Sequence, residues 1–308
     1  MIELDKGNLN FWYWEETVLN FFFARPGSGL GNINRTYCRL DYATDDEFET
    51  AIKQEVIDNN KRGYNCYQRL NTINYDFQGR AATDDDIFAV EHLLIDIDRK
   101  GKKTSPASTE ELEKARLLAL DIVEFLTGQD WPPPTIVMSG NGYHLYYAID
   151  DSDVEPNPNS KCLRRALVKC LANVFDSATH QLDQDVYNES RLVKIVGTVA
   201  YKGEETPTRP YRRVTLLSRC SNSHFVTNVM MRAVIRILGF DPDEEIGSFT
   251  RRFSNSTKEP ETPRAVAHVV DALRHIDADC DYDTWCRIIW AVMSTGWTCA
   301  RRKGNDWA

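Results

Sequence analysis

The chain has 308 residues, of which 42% are hydrophobic and 27% are charged, and its formal net charge is −9. This composition is typical of a folded globular protein and excludes a largely disordered one. The acidic balance excludes nucleic-acid binding through general basicity, because such binding depends on Lys and Arg that neutralise phosphates. Without an apolar membrane-spanning stretch or a signal-peptide pattern, we expect a cytoplasmic protein.

The predicted elements alternate between strand and helix along the first 240 residues. The first ninety residues mix aromatic runs with an acidic, helix-like stretch from Thr44 to Asn60. The apolar run from Leu93 to Asp98 predicts a strand, and a Lys-rich turn follows it. Ser108 and Glu111 form a capping-box pattern that predicts a helix ending near Gly128.

A hairpin and a second helix complete this pattern. Residues 132–150 are predicted to form two short strands joined by the turn sequence SGNG. From Leu163 to Val174, apolar residues recur at the spacing of one helix face. The region therefore predicts a mixed α+β fold.

The composition changes after Gly239, where a polar stretch rich in Ser, Thr, Pro and charge begins. We predict one α+β domain over 1–240, a linker over 241–262 and a small helical domain over 263–308. In the helical domain, apolar spacing predicts one helix from Val266 to Ile276 and another from Trp285 to Met293. We expect the chain to be cut from a longer polypeptide, since its last residues show no helix cap.

Two aspartates interrupt the apolar strand LLIDIDRK. Because side chains of a strand alternate between its faces, Asp96 and Asp98 share one face, opposite Ile95 and Ile97. Two carboxylates so placed repel each other unless a cation lies between them. Mg²⁺ or Mn²⁺ suits such oxygen ligands, whereas a solvated strand end is the simpler alternative.

Two further segments carry groups that suit phosphate. In SGNGYH, glycines allow backbone N–H groups to approach an anion, and Ser139 and His144 can donate to phosphate oxygen. The segment LDQDVYNESRLVK holds Asp183 and Asp185 and then Arg191 and Lys194. It begins the most basic stretch of the chain, which between Ser190 and Arg219 has seven basic and two acidic residues. The alternatives are a structural hairpin turn for SGNGYH and a surface loop with ordinary salt bridges for LDQDVYNESRLVK.

In this order, the blocks LLIDID, SGNGYHLYY and LDQDVYNESRLVKIVGT resemble the three motifs of the archaeo-eukaryotic primase superfamily, most closely the primase-polymerases of phages and plasmids. The resemblance spans roughly residues 90–215. It implies an RNA-recognition-motif-like catalytic core with an N-terminal α/β unit, and template-directed joining of nucleotides with two Mg²⁺ or Mn²⁺ ions. It also implies a single-stranded DNA template and primer, NTP or dNTP as substrate, and a bacterial or phage-infected host cell.

The resemblance also implies roles for individual residues. Asp96 and Asp98 match metal ligands of the first motif, and Asp183 matches the third carboxylate. Asp185 stays an alternative, because it would lie on the same strand face as Asp183. Nucleotide phosphates would be contacted by five residues: Ser139, His144, Arg191, Lys194 and Lys202. Arg212 and Arg213 are candidates for template contact.

The segment from Val269 to Gly296 resembles the small helical domain that follows the catalytic core in phage primase-helicases. The resemblance implies a helicase as a linked partner. Two other functions remain open from the residues alone. A two-metal nuclease would use the same carboxylates, and a non-catalytic nucleic-acid-binding module would keep the fold without turnover.

Overall fold

The computed structural model describes residues 9–12, 16–27, 31–79, 81–101, 104–150, 158–220, 224–247 and 261–274, together with 284, 288 and 292. The chain divides into two compact units, residues 1–246 and 247–308. Within the described residues, no helix has the length and apolar character that crossing a membrane requires.

Strands and helices are numbered in chain order over the described residues. The strands are β1 (Val18–Ala24), β2 (Ile33–Cys38), β3 (Asn65–Arg69), β4 (Thr72–Ile73), β5 (Ile87–Ala89), β6 (His92–Arg99), β7 (Thr135–Met138), β8 (Tyr143–Asp150), β9 (His180–Leu182), β10 (Leu192–Lys194), β11 (Val199–Ala200), β12 (Arg212–Arg213), β13 (Thr215–Ser218) and β14 (Val226–Thr227). The helices are α1 (Asp45–Lys61), α2 (Thr109–Thr127), α3 (Pro158–Phe175), α4 (Asn228–Ile237) and α5 (Pro263–Arg274).

The larger sheet contains the strand with the two aspartates. Its strand order is β13-β7-β8-β6-β9 with antiparallel neighbours, and β14 pairs in parallel with the end of β8. Along the chain, β6-α2-β7-β8-α3-β9 is the split βαβ arrangement of ferredoxin-like and RNA-recognition-motif-like folds. The predicted α+β class is therefore confirmed, and β6 lies in the interior of the sheet.

The smaller sheet lies N-terminal in sequence, apart from one strand. Its order is β10-β3-β1-β2, antiparallel throughout. One face packs on α1, where Phe21, Phe23, Ile52, Cys66 and Ile195 belong to one buried cluster. Because β10 follows β9 in the chain, the segment between them passes from the large sheet to the small sheet.

Local signals in the sequence produce the predicted helix boundaries. Thr44 caps α1 by accepting a hydrogen bond from the Glu47 N–H. Ser108 and Glu111 form the predicted capping box of α2, and Gly128 follows its last residue. Ser139 N–H donates to Gly142 O at 2.9 Å and closes the predicted SGNG turn.

The start of the predicted linker is helical. Residues 242–247 form a short helix, and the Asp241 carboxylate accepts the N–H of Asp243 at 2.8 Å as its cap. Ile246 is buried, and Glu245 forms an ion pair with Lys169 of α3 at 2.6 Å. These contacts attach residues 241–246 to the first unit, so the unit extends past the predicted boundary at 240.

The helix predicted from Val266 is observed as α5, Pro263–Arg274. Residues 248–260, the centre of the predicted linker, lie outside the described residues. The second predicted helix of this domain, Trp285 to Met293, lies outside them too, apart from residues 288 and 292.

Candidate active site

The two aspartates lie on the open face of the large sheet. Ile95 and Ile97 are fully buried on the opposite face and hold β6 in place. Asp96 pairs in register with His144 of β8, and Asp98 pairs with Gln181 of β9. Both carboxylates are only partly exposed, so a rigid central strand presents them side by side, as the alternation of the sequence predicted.

His144 lies beside Asp96 on the neighbouring strand. Its Nε2 is 3.4 Å from Asp96 Oδ1, and its Nδ1 shares a hydrogen bond of 2.7 Å with the Tyr146 hydroxyl. Burial, followed by the charge of Lys194, lowers the pKa of His144 to about 3. The imidazole is therefore neutral near pH 7, with one nitrogen bound to Tyr146 and the other facing the carboxylate.

The SGNG turn approaches Asp98 closely because it lacks side chains where it meets β6. A Cβ on Gly142 would collide with Ile97 O and stand 3.0 Å from Asp98 Oδ1. Gly140 has φ +92° and packs against Ala200. Both glycines are required by contact with neighbouring segments, and this brings Ser139 and the start of β8 next to the aspartates.

Lys194 enters the site from the edge of the small sheet. Its Nζ donates to Ser139 O at 3.0 Å. Burial, followed by the charge of Lys202, lowers the pKa of Lys194 to about 8, while Asp98 and Asp96 act in the opposite direction. A buried ammonium group thus lies near the carboxylate pair and the SGNG turn, and Lys202 lies close enough to interact with it.

The third block places Asp183 and Asp185 differently. Strand β9 ends at Leu182, and Asp183 N–H donates to Asp96 O at 2.9 Å. The Asp183 carboxylate accepts from the Asp185 N–H at 3.0 Å and pairs with Arg191 Nη2 at 3.2 Å. Asp185 is exposed. The expectation that both share one strand face is wrong, because the chain turns immediately after Leu182.

The fit of this site to a divalent metal can be judged from its donors. Among the described residues, no group of three or more His, Cys, Asp or Glu side chains is arranged to hold a metal. Asp183 is directed at Arg191, which leaves Asp96 and Asp98 as the adjacent pair of carboxylates. Mg²⁺ is commonly bound by one or two carboxylates, with water and substrate phosphates as the other ligands. The pair fits such an ion, whereas a cage of three carboxylates is not formed.

A buried network that sequence analysis did not identify holds the segment before Arg191. Arg164 of α3 pairs with Glu189 at 3.1 Å, and both side chains are about 95% buried. Asn71 donates to Glu189 O at 2.8 Å, and Asp84 accepts from both the N–H and the hydroxyl of Ser190. These contacts come from distant parts of the chain, so no local pattern could have identified them.

Three other arginines of the basic stretch, Arg209, Arg212 and Arg213, make structural contacts. Arg209 donates twice to the Glu111 carboxylate, at 2.7 and 2.8 Å. Arg212 donates to Ala107 O at 2.6 Å, and Arg213 donates to Gly197 O at 2.9 Å. The predicted template contact by Arg212 and Arg213 stays a prediction, with these guanidinium groups already bound to backbone.

No protein-family model matches the chain, and no curated protein does either. Among solved structures, the chain is similar to the primase RepB′, with 13% identity over 84% of this chain and 70% of that one and a TM-score of 0.40. It is also similar to the AEP domain of the cyanophage S-2L primase-polymerase, with 13% identity, 71% and 89% coverage and a TM-score of 0.41. The catalytic domain of RepB′ in complex with initiator DNA is also similar, with 14% identity over 76% of this chain and 90% of that one and a TM-score of 0.39. These similarities concern the fold, and the function proposed below rests on the site itself.

Proposed function

We propose that the chain is a template-dependent primase-polymerase, a nucleotidyltransferase that joins nucleotides by metal-assisted phosphoryl transfer. One observation carries the proposal: three blocks distant in sequence converge on a pair of carboxylates with cations beside them. Asp96 and Asp98 lie next to His144, while Lys194 and Arg191 approach from the segment that joins the two sheets. Phosphoryl transfer needs this combination of carboxylate-held metal and fixed positive charge.

Each residue has a role that follows from its position. Asp96 and Asp98 would hold a divalent ion, Mg²⁺ or Mn²⁺; such an ion, when bound, would lower the pKa of the attacking hydroxyl and offset charge on the phosphates. Lys194 and Arg191 would neutralise and orient the triphosphate, with Lys202 extending the positive field. Ser139 acts through its carbonyl, which fixes the Lys194 ammonium.

The two remaining contacts concern His144 and Asp183. The neutral His144 would donate a hydrogen bond from Nε2, which lies 3.4 Å from Asp96 Oδ1, to a phosphate bound beside that carboxylate. Of the two candidates for a third ligand, Asp183 is preferred, since its backbone is bonded to Asp96 and Asp185 is exposed. Its carboxylate would first have to leave Arg191. The roles of His144 and Asp183 are part of the proposal. The proposal also includes a single-stranded template, a primer, NTP or dNTP as substrate, and a linked helicase in phage or plasmid replication.

The proposal is tested by incubating the protein with single-stranded template, Mg²⁺ or Mn²⁺ and labelled NTP or dNTP, with and without primer. We expect products longer than the primer. The double substitution Asp96→Ala with Asp98→Ala should lower incorporation about 10³-fold or more, because several kcal/mol of charge stabilisation depend on the bound ion. Asp121→Ala, which removes an exposed carboxylate of α2, should leave incorporation unchanged.

Three outcomes contradict the proposal. Shortened DNA without nucleotide consumption would identify a metal-dependent nuclease built on the same carboxylates. Binding of DNA without either reaction would identify a non-catalytic module. Extension by a folded double variant would exclude Asp96 and Asp98 as the metal ligands.

A further inference from the structure

The face of the small sheet that does not pack on α1 carries an ordered cross-strand row. Strand register places Asn34 opposite Phe22, Phe22 opposite Tyr67, and Tyr67 opposite Lys194. Opposed residues of neighbouring strands point to the same side of a sheet. One line of side chains therefore crosses all four strands, and it ends at the lysine that enters the candidate active site.

The two aromatic members of the row lie side by side and are not fully buried. The ring centroids of Phe22 and Tyr67 are 6.2 Å apart, with planes tilted by 39°. Both residues keep part of their surface exposed, unlike Phe21 and Phe23, which are buried on the opposite face of β1. The described residues thus leave part of both rings uncovered on this side of the sheet.

Tyr67 lies close enough to Asp96 and Asp98 for their charges to affect its pKa. Burial, followed by the charges of Cys66 and Asp96, raises the pKa of Tyr67 to about 12, and Arg191 acts in the opposite direction. The row therefore begins within the field of the Asp96 and Asp98 pair and leads away from it. With strands about 4.8 Å apart, it extends roughly 15 Å from Lys194 to Asn34.

The charge of this face suits a polyanion. None of the four strands contains an acidic residue, although the whole chain has a net charge of −9. Within the four strands, the charged residues that share the face with the row are Arg69 and Lys194, both cations. Arg69 donates to Asn20 Oδ1 at 3.1 Å and lies near Asp84 and Asp86. A surface with this charge can attract a phosphate backbone.

At its far end the row meets an open groove. The groove has a volume of about 560 Å³ and is lined by Asn32, Asn34, Thr36 and Gln78, among others. Amide side chains can donate to and accept from base edges. The surface extends beyond the base of a single nucleotide held by its triphosphate at Lys194, so it favours a strand of several nucleotides.

We propose that Phe22 and Tyr67 form a stacking platform for single-stranded DNA, on which template bases lie as they approach the carboxylates. The inference rests on the proposed function, because the template of that reaction is the occupant. Single-strand-binding proteins combine a cationic groove with aromatic side chains on which bases stack, and this stacking tolerates any sequence. Phe22 and Tyr67 supply the rings, and Lys194 supplies the positive charge at the end of the row.

The test measures binding of a fluorescein-labelled oligothymidylate to the full chain by anisotropy, at fixed salt and without metal or nucleotide. Phe22→Ala should raise the Kd about tenfold, because one base loses its stacking partner. Phe22→Leu should do the same, since it keeps apolar volume but lacks a ring, whereas Phe22→Trp should bind at least as tightly as the wild type. Tyr75→Ala, which removes a highly exposed ring outside the row, is the matched control and should change nothing.

The outcomes separate the platform from the proposed function. An unchanged Kd for folded Phe22→Leu overturns the platform, and so does a rise in nucleotide KM with no change in Kd, which would assign the rings to the incoming nucleotide. The Asp96 and Asp98 double variant should bind the oligonucleotide like the wild type while failing to incorporate nucleotides. A wild-type chain that binds through Phe22 but never incorporates nucleotides would support the platform and exclude the polymerase.

Discussion

The two sheets of the first unit contribute opposite charges to the candidate active site. The large sheet supplies carboxylates from adjacent same-face positions of β6, where burial of Ile95 and Ile97 makes the strand rigid. The small sheet supplies Lys194, an edge residue whose position depends on long-range pairing with β3. The anionic half of the site is thus local in sequence, and the cationic half is assembled by tertiary contacts.

The segment that joins the two sheets is held by the buried pair of Arg164 and Glu189, and breaking this pair should have the largest effect on stability. Arg164→Met should destabilise the protein by about 3–5 kcal/mol, because it leaves the Glu189 carboxylate buried without its ion pair. Chemical denaturation measures the change. Arg116→Met, which removes an exposed pair with Glu113, should have a much smaller effect, because solvent screens the pair. Equal effects of the two substitutions would show that the joining segment does not depend on the buried pair.

The rigidity of the anionic half can be tested at Gly142. Gly142→Ala forces a Cβ against Ile97 O and should cost about 1–3 kcal/mol, with nucleotide incorporation reduced because β6 must shift beneath Asp98. Thermal unfolding and primer extension report the two effects. Gly128→Ala, at a residue with φ −62° where a Cβ would come no closer than 3.3 Å to Phe125 O, is the control and should change both much less. A fully active, stable Gly142→Ala variant would contradict the close approach of the turn.

Substitution can decide which of Asp183 and Asp185, at the end of the large sheet, acts as the third carboxylate. Asp183→Asn should lower kcat/KM on the order of tenfold, or about 1.4 kcal/mol, because it weakens the pair with Arg191 and removes a carboxylate next to β6. Asp185→Asn should have little effect, since that side chain is exposed. The reverse order of effects would assign the third carboxylate to Asp185.

The smallest effect concerns the charge of the cationic half. Because burial lowers the pKa of Lys194 to about 8, the ammonium is present below that pH and is lost as the pH rises through it. Nucleotide KM should therefore rise above about pH 8. Lys202→Met should raise the pKa of Lys194 and move this rise to higher pH. A KM profile that does not move in this variant would remove Lys202 as the neighbour that lowers the pKa of Lys194.

Much of the large sheet was predictable because its signals are local. Alternation identified the faces of β6, the Ser108 capping box located the start of α2, and SGNG located the hairpin turn. The wrong expectation that Asp185 shares a strand face with Asp183 also came from a local signal. Alternation continues only while a strand does, and nothing local showed that β9 ends at Leu182.

The sequence by itself determined the α+β class, the helix caps and the paired aspartates, since these follow from backbone periodicity and hydrogen bonding over a few residues. The tertiary structure alone decided that Tyr67 lies opposite Lys194, that Glu189 pairs with Arg164, and that Arg209 belongs to a helix cap instead of a phosphate site. The physical reason is that charges act through distance and burial. Both depend on which strands pair across the fold, and a pattern of neighbouring residues does not contain that information.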